Sequence, residues 1–339
     1  MKSKISSTIT KTIRILPFSK LTNMKIERQY RIFKDKLKKC PSSYYPLVLT
    51  NISYGDEFLL KRYSGFPDYI YAVIEHGLYL GKNSAKIEDE RDDYDLKSII
   101  TLSDYRMETI KEAFPGYHCL AVGPMIHYAQ TDNEFQEHIE KQKRPGKTLL
   151  YFPVHGTTYI YPHYDKLNAF RKIVSIAENH NCENIIVCVY RGYTGLMEEL
   201  QPYNTYGKEL KVIITDCGLK TDAKFLDRQK TLIQISDYAV SNSVGTNLGY
   251  CIYSNKPYYL LPDNVNYLGT EKERSSNWES DYEREKKLFH LMFSNTSIEQ
   301  VTTEQRELCS HYWGYNHVKT PDDLRSALEE INKKSRTIL

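Results

Sequence analysis

Several short stretches of this 339-residue sequence hold side chains that can bind phosphate or move a proton. The richest is Ser241-Asn242-Ser243-Val244-Gly245-Thr246, between the apolar run Tyr238–Ser241 and an apolar helical stretch ending at Ser254. Hydroxyls and an amide beside a glycine at a helix start favour phosphate, because the first N–H groups and the helix dipole both point there. An N-cap without ligand is the plainer alternative. Lys256-Pro257, leading into Pro257–Leu261, favours phosphate. A second stretch is Phe152-Pro153-Val154-His155-Gly156-Thr157-Thr158. His155 can donate to phosphate and, once protonated, stabilise a leaving group. Its plainer role is a loop histidine bonded to backbone. A third is Ile74-Glu75-His76-Gly77, with Asp56-Glu57 upstream after Tyr54-Gly55. A base must take the proton from an attacking hydroxyl. His76 suits this near neutral pH; Asp56 or Glu57 suits it with a raised pKa or a histidine partner. As alternatives, His76 is a turn residue and the acids sit in a solvated loop. Arg191 follows Tyr190 at a strand end and can pair with diphosphate or carboxylate in bidentate fashion, or simply lie on the surface. Asp216-Cys217-Gly218 ends another strand, where an ordinary turn is the alternative. Gly123-Pro124 and His127 read as hinge residues.

The elements that must position these residues follow from hydrophobic periodicity. Strands are predicted at Tyr45–Thr50, Asp68–Ile74, Leu96–Leu102 and Tyr117–Val122, with a helix over Ser103–Ala113. The polar segment Gln130–Lys147, with Pro145-Gly146, reads as a linker. A second series follows: strands at Thr148–Val154, Asn184–Tyr190, Leu210–Thr215, Tyr238–Ser241 and Pro257–Leu261, and helices at Asp165–Glu178, Asp222–Gln234 and Gly245–Ser254. Leu167, Phe170, Ile173, Val174 and Ala177 share one face of the first of these helices. Residues beyond about 280 read as helical. The fold class is therefore α/β, with two Rossmann-like domains facing a cleft and a helical C-terminus. The divisions are a basic segment 1–40, an N-terminal Rossmann-like domain 41–135, a C-terminal Rossmann-like domain 148–300 and terminal helices 301–339. Ligands of open parallel sheets bind beyond the C-terminal strand ends, where the polar loops above lie.

Composition bounds the function. Hydrophobic residues at 40% and charged residues at 26% suit globular domains. Seven cysteines, none in a Cys-x-x-Cys pair and several inside apolar runs, read as reduced buried thiols in a cytoplasmic protein. No apolar run is long enough to span a membrane and no signal peptide is expected. Residues 1–39 hold 12 Lys or Arg against Glu27 and Asp35, so the remaining chain is acidic. Met24, Ile26, Tyr30, Phe33 and Leu37 recur at helical spacing opposite a basic face. That pattern fits peripheral contact with an anionic inner membrane face, or a solvated basic helix. Nucleic acid is not an expected partner. No metal or cofactor is expected; the acidic run Ile87–Asp95 reads as a solvated loop.

The segment Ser236–Leu261, SDYAVSNSVGTNLGYCIYSNKPYYLL, resembles the donor-site signature of GT-B glycosyltransferases: strand, Ser/Thr/Gly turn, helix, Lys-Pro, strand. It also resembles proteins of bacterial capsular and lipopolysaccharide loci. The resemblance covers mainly residues 148–262. It implies a glycosyltransferase moving a sugar from a nucleotide-activated donor to a surface-polysaccharide or lipid-linked saccharide acceptor. It also implies donor phosphate on the Ser241–Thr246 turn, the nucleotide base at the Asp216 loop, and the acceptor on the N-terminal domain. The helix Gly245–Ser254 lacks the ribose-binding Glu of many UDP- or GDP-sugar enzymes. That is more like CMP-activated acidic-sugar enzymes, which commonly carry His-Pro where this chain has His155-Gly156. The donor stays open among CMP, UDP and GDP. His-Gly after an apolar strand is also similar to glycerophosphate-transferring relatives, so a polyol-phosphate (CDP-glycerol-like) transferase is the first alternative. A non-catalytic polysaccharide-assembly subunit and a sugar-nucleotide epimerase are others.

Overall fold

The computed structural model describes residues 47–81, 96–156, 160–190, 210–262, 265–269, 276–297 and 299–336. The basic N-terminal segment and the acidic run Ile87–Asp95 lie outside these residues.

The N-terminal domain is built on a parallel sheet of β1 (Val73–Ile74), β2 (Ser98–Thr101) and β3 (His118–Ala121), in that order. Helices α1 (Asp56–Ser64) and α2 (Asp104–Ala113) accompany it, the latter capped by the Ser103 hydroxyl. The strand expected at Tyr45–Thr50 does not form among the described residues. Leu49–Gly55 is a 3-10 stretch instead. The physical reason is Asn51, whose amide donates to the Ala72 carbonyl at 3.0 Å and accepts from the Ile74 N–H at 2.8 Å. One side chain thus satisfies the free edge of β1 that a fourth strand would have paired.

The segment read as a linker carries a helix, α3 (Asn133–Glu140), N-capped by Asp132 and burying Ile139. Its polar composition is that of a capped surface helix.

The C-terminal domain holds β4 (Lys147–Phe152), β5 (Ile160–His163), α4 (Lys166–Asn179), β6 (Cys182–Cys188), β7 (Lys211–Thr215), α5 (Phe225–Gln234), β8 (Tyr238–Ser241), α6 (Thr246–Tyr253), β9 (Tyr258–Leu260) and β10 (Asn266–Gly269). Five of these strands form a parallel sheet in the order β7-β6-β4-β8-β9, which is the Rossmann order. Alternation splits the sheet's side chains between two cores. Leu149, Tyr151, Ile185, Val187 and Val240 pack with Phe170, Ile173 and Ala177 of α4. Leu150, Phe152, Ile186 and Ala239 pack on the other face with Leu232, Leu248 and Ile252 from α5 and α6, in a core continuous with the N-terminal domain. β5 and β10 form a separate antiparallel pair that the sequence analysis did not anticipate.

Three helices close the chain: α7 (Ser276–Phe293), α8 (Thr303–Trp313) and α9 (Pro321–Arg336). A reciprocal capping box between Thr302 and Gln305 starts α8. Its last residue, Trp313, is fully buried on Gly249 of α6 and donates Nε1–H to the Thr246 carbonyl at 3.2 Å. Only glycine fits there, since a Cβ would stand 2.1 Å from the indole. α9 then returns to the N-terminal domain. Asn332 accepts from the Tyr71 N–H at 2.8 Å and donates to the Tyr69 carbonyl at 2.7 Å. The C-terminal helices therefore hold both domains. No described helix is long and apolar enough to cross a membrane.

Candidate functional site

The sheet order reverses between β4 and β8, and a cleft of about 370 Å³ lies beyond the C-terminal ends of these strands. Its C-domain wall is made by Phe152–His155 after β4, Cys188–Tyr190 after β6, Cys217 after β7, Ser241 of β8, and Ser243–Asn247. Facing it are Tyr54 and Asp56, at the junction of the 3-10 stretch with α1, and His76–Leu78 after β1. The two walls touch directly. Arg62 of α1 grips Asp227 of α5 with two hydrogen bonds of 2.7 Å, and Lys230 donates to the carbonyls of His127 and Ala129. Leu78 N–H donates to Thr246 Oγ1 at 3.0 Å across the cleft rim.

Asp56 is 2% exposed, and burial pushes its carboxyl well above the usual carboxylate range. Its charge in turn helps to raise the hydroxyl pKa values of Tyr54 and Tyr250, after the larger effect of their own burial. A carboxyl of this kind can accept a proton near neutral pH. Glu57, one residue on, does not line the cleft. Its Oε2 accepts from Asn51 Nδ2 at 3.1 Å, so it braces the side chain that finishes β1. Burial raises its carboxyl too, against the lowering effects of Asn51 and Lys61.

His76 reaches the cleft with its ring 5.7 Å from that of Tyr54. Its loop is fixed by a buried ion pair next to it. Arg106 Nη2 donates to Glu75 Oε1 at 2.6 Å, Arg106 Nε donates to the same oxygen at 3.0 Å, and Thr101 donates to Glu75 Oε2 at 2.7 Å. Arg106 also covers the Tyr79 ring at 4.2 Å.

His155 stacks on Tyr190, with centroids 4.3 Å apart. Its Nδ1 lies 3.0 Å from the Gly156 carbonyl, which can only accept, so Nδ1 carries the proton. Desolvation of the ring against the cleft wall lowers its pKa, although the residue as a whole is exposed. The resting ring is therefore neutral with Nε2 as acceptor, and donation to phosphate requires protonation on ligand binding. In the Ser241–Thr246 turn, Ser241 donates to the Ser243 carbonyl at 2.6 Å and Asn242 Oδ1 accepts from Val154 N–H at 2.7 Å. Asn242 thus ties the loop after β4 to the loop after β8 and stands behind the cleft. Gly245 precedes α6 in extended backbone, and no side chain caps this helix.

The structure thus brings Asp56, His76, His155, Ser241, Ser243, Gly245 and Thr246 into one cleft. Gly156 supplies its carbonyl to His155 but does not line the cavity. Asp216 Oδ1 accepts from Gly218 N–H at 2.7 Å and shapes its own turn. Thr157 and Arg191 lie outside the described residues. So does Asp93-Tyr94-Asp95, whose Asp-x-Asp spacing leaves one carboxylate pair of metal-binding type in the sequence. Tyr54, Tyr190, Gln229, Tyr250, Cys188 and Cys217 line the cleft without having been singled out as functional residues. Adjacency to Asp56 and Arg191 was the available signal for Tyr54 and Tyr190. For Gln229 and Tyr250, helix interiors gave none.

Two Rossmann-like domains facing a cleft, with a helical C-terminus across both, define the GT-B type of architecture. No family model matches the sequence, and no curated protein matches it. Among solved structures, the chain is similar to Staphylococcus aureus MnaA bound to UDP, with 11% identity and a TM-score of 0.40 over 72% of this chain and 60% of that one. It is similar to the wall teichoic acid polymerase TagF, with 11% identity and a TM-score of 0.46 over 79% of this chain and 69% of that one. A glycosyltransferase from Rickettsia africae aligns with 12% identity and a TM-score of 0.37 over 87% and 84% of the two chains.

Proposed function

We propose that this chain is a glycosyltransferase that moves a sugar from a nucleotide-activated donor to a saccharide or lipid-linked acceptor of a bacterial surface polysaccharide. The observation that carries the reading is the pairing of two unlike walls across one cleft. A Ser/Asn/Gly/Thr turn and an uncapped helix start face a buried, high-pKa carboxyl on the other domain. In this reading the nucleotide lies against the C-terminal domain. Its phosphate meets Ser243, Thr246 and the start of α6, with His155 taking up a proton as negative charge gathers on the leaving group. Asp56 removes the proton of the acceptor hydroxyl, and His76 orients that hydroxyl or takes the base role itself. The proposed chemistry runs without a resident metal. The basic N-terminus would bring the enzyme to the inner membrane face.

A thermal-shift and calorimetric screen of CMP, CDP, UDP and GDP, without and with magnesium, tests the reading. A ligand of the native state raises the melting temperature by mass action. At least one nucleotide is expected to do so without metal, and Ser243→Ala and His155→Ala are expected to remove the shift. Binding of none at millimolar concentration would refute the donor site and favour a non-catalytic assembly subunit. A phosphodiester product released with nucleoside monophosphate would assign the polyol-phosphate reaction instead.

A further inference from the structure

The cleft contains a pair of groups that the proposed transfer does not use. Cys188 ends β6 and Cys217 follows β7, the neighbouring parallel strand, and their sulfurs are 3.6 Å apart. Both line the cleft. Cys188 is half-buried at the wall, whereas Cys217 is 1% exposed beneath it. Cys251 and Cys309 offer a contrast, since each is 0% exposed and neither lines the cleft.

We propose that Cys188 and Cys217 form a peroxide-sensitive thiol pair whose disulfide reshapes the cleft. Reaction begins at the accessible sulfur. The Cys188 thiolate attacks the O–O bond of a peroxide, forming a sulfenic acid and releasing hydroxide, which is protonated to water. The Cys217 thiol then attacks that sulfur, and a second water leaves as the S–S bond forms. Two thiols lose two electrons and two protons, and one hydrogen peroxide becomes two waters. Burial raises the Cys217 thiol well above its ordinary pKa, so peroxide reacts first at the accessible Cys188, and Cys217 gives up its proton to the departing sulfenic oxygen as the S–S bond forms.

Closing the gap to a bonded length of about 2.05 Å requires a movement of about 1.5 Å. The Cys217 side is anchored: Arg228 donates to its carbonyl at 3.1 Å, and Gly218 N–H donates to Asp216. The movement therefore falls on Cys188 and the residues after it. Val189 N–H is bonded to the Thr215 carbonyl, and Tyr190 carries the stacked His155 ring. A bond at Cys188 thus shifts the Tyr190–His155 stack on the donor wall. The consequence for nucleotide binding rests on the proposed donor site; the bond itself does not.

The test is to treat the full chain with hydrogen peroxide and map its peptides before and after dithiothreitol. The expected product is a reducible Cys188–Cys217 cross-link lighter by two hydrogens. Cys217→Ser is expected to stop at a Cys188 sulfenic acid that dimedone traps. Hydrogen exchange at residues 154–156 and 189–190 should change on oxidation in the wild-type chain and not in Cys188→Ser. Affinity for whichever of CMP and UDP binds the reduced chain should fall by about tenfold or more. Absence of the cross-link, or a cross-link that leaves exchange at both segments unaltered, overturns the proposal. If neither nucleotide binds the reduced chain but cross-link and exchange behave as stated, the donor-site reading fails and the thiol pair stands.

Discussion

Removal of the Arg106 side chain tests how the N-terminal wall of the cleft is held. Glu75 is 1% exposed and accepts four hydrogen bonds, three of them from the Arg106 guanidinium. In Arg106→Ala the carboxylate keeps only the Thr101 hydroxyl among these donors, in a site from which water is excluded. Breaking one side of a buried ion pair costs about 3–5 kcal/mol. Loss of the guanidinium–Tyr79 contact adds about 0.5–2 kcal/mol. A summed shift of this size lowers the folding equilibrium constant by roughly three to five orders of magnitude. Replacing both partners by apolar groups of similar volume should cost far less, because no buried charge is left unpaired. The assay is guanidinium unfolding by far-UV circular dichroism, comparing Arg106→Ala with the Glu75→Leu/Arg106→Met double variant. Hydrogen exchange at Leu78, whose N–H reaches Thr246, reads the cleft rim directly. A loss below about 1 kcal/mol in the single variant, or a double variant no more stable than the single, would refute the reasoning.

Other consequences concern Asp56 in the cleft and Gly249 inside α6. Asp56 has a folded pKa above its unfolded value, so its contribution to stability is fully present below the unfolded pKa and is lost as pH rises through the folded one. Asp56→Asn should therefore melt higher than wild type near about pH 8, with the gap closing toward about pH 4. A pH-independent gap would contradict this, and a transfer assay should show turnover reduced by about 10²–10⁴-fold if Asp56 is the base. Gly249→Ala forces a Cβ against the Trp313 indole and should cost at least about 1–3 kcal/mol in thermal unfolding. Adding Trp313→Leu should cost less in the Gly249→Ala background than in wild type, because the clash is then already relieved; strict additivity would show that the two residues do not meet.

Much of the C-terminal domain was legible in the sequence because its information is local. The run Tyr238–Ser241 is a strand at its expected bounds, and Asp165 caps α4 as its position before an apolar stripe implies. Strands buried on both faces leave continuous apolar runs, and a parallel sheet then puts the polar loops after them at one edge. That logic placed Asp56, His76, His155 and the Ser241–Thr246 turn as candidates, and the cleft includes them all except Asn242, which stands behind it. The N-terminal domain was less legible, because Asn51 replaces a strand with a single amide across 21 residues of chain. Neighbours in sequence also diverged in role. Asp56 lines the cleft while Glu57 turns to Asn51, a difference set by the direction of each side chain at the start of α1. The sequence by itself determined most of the strands and helices of the C-terminal domain, and that polar, proton-accepting side chains sit at their ends. Only the tertiary structure decided that Glu75 belongs to Arg106, that Cys188 meets Cys217, and that Gly249 receives Trp313. Those pairings join residues 29 to 64 positions apart, and side-chain periodicity holds no information about which distant surfaces will be brought together.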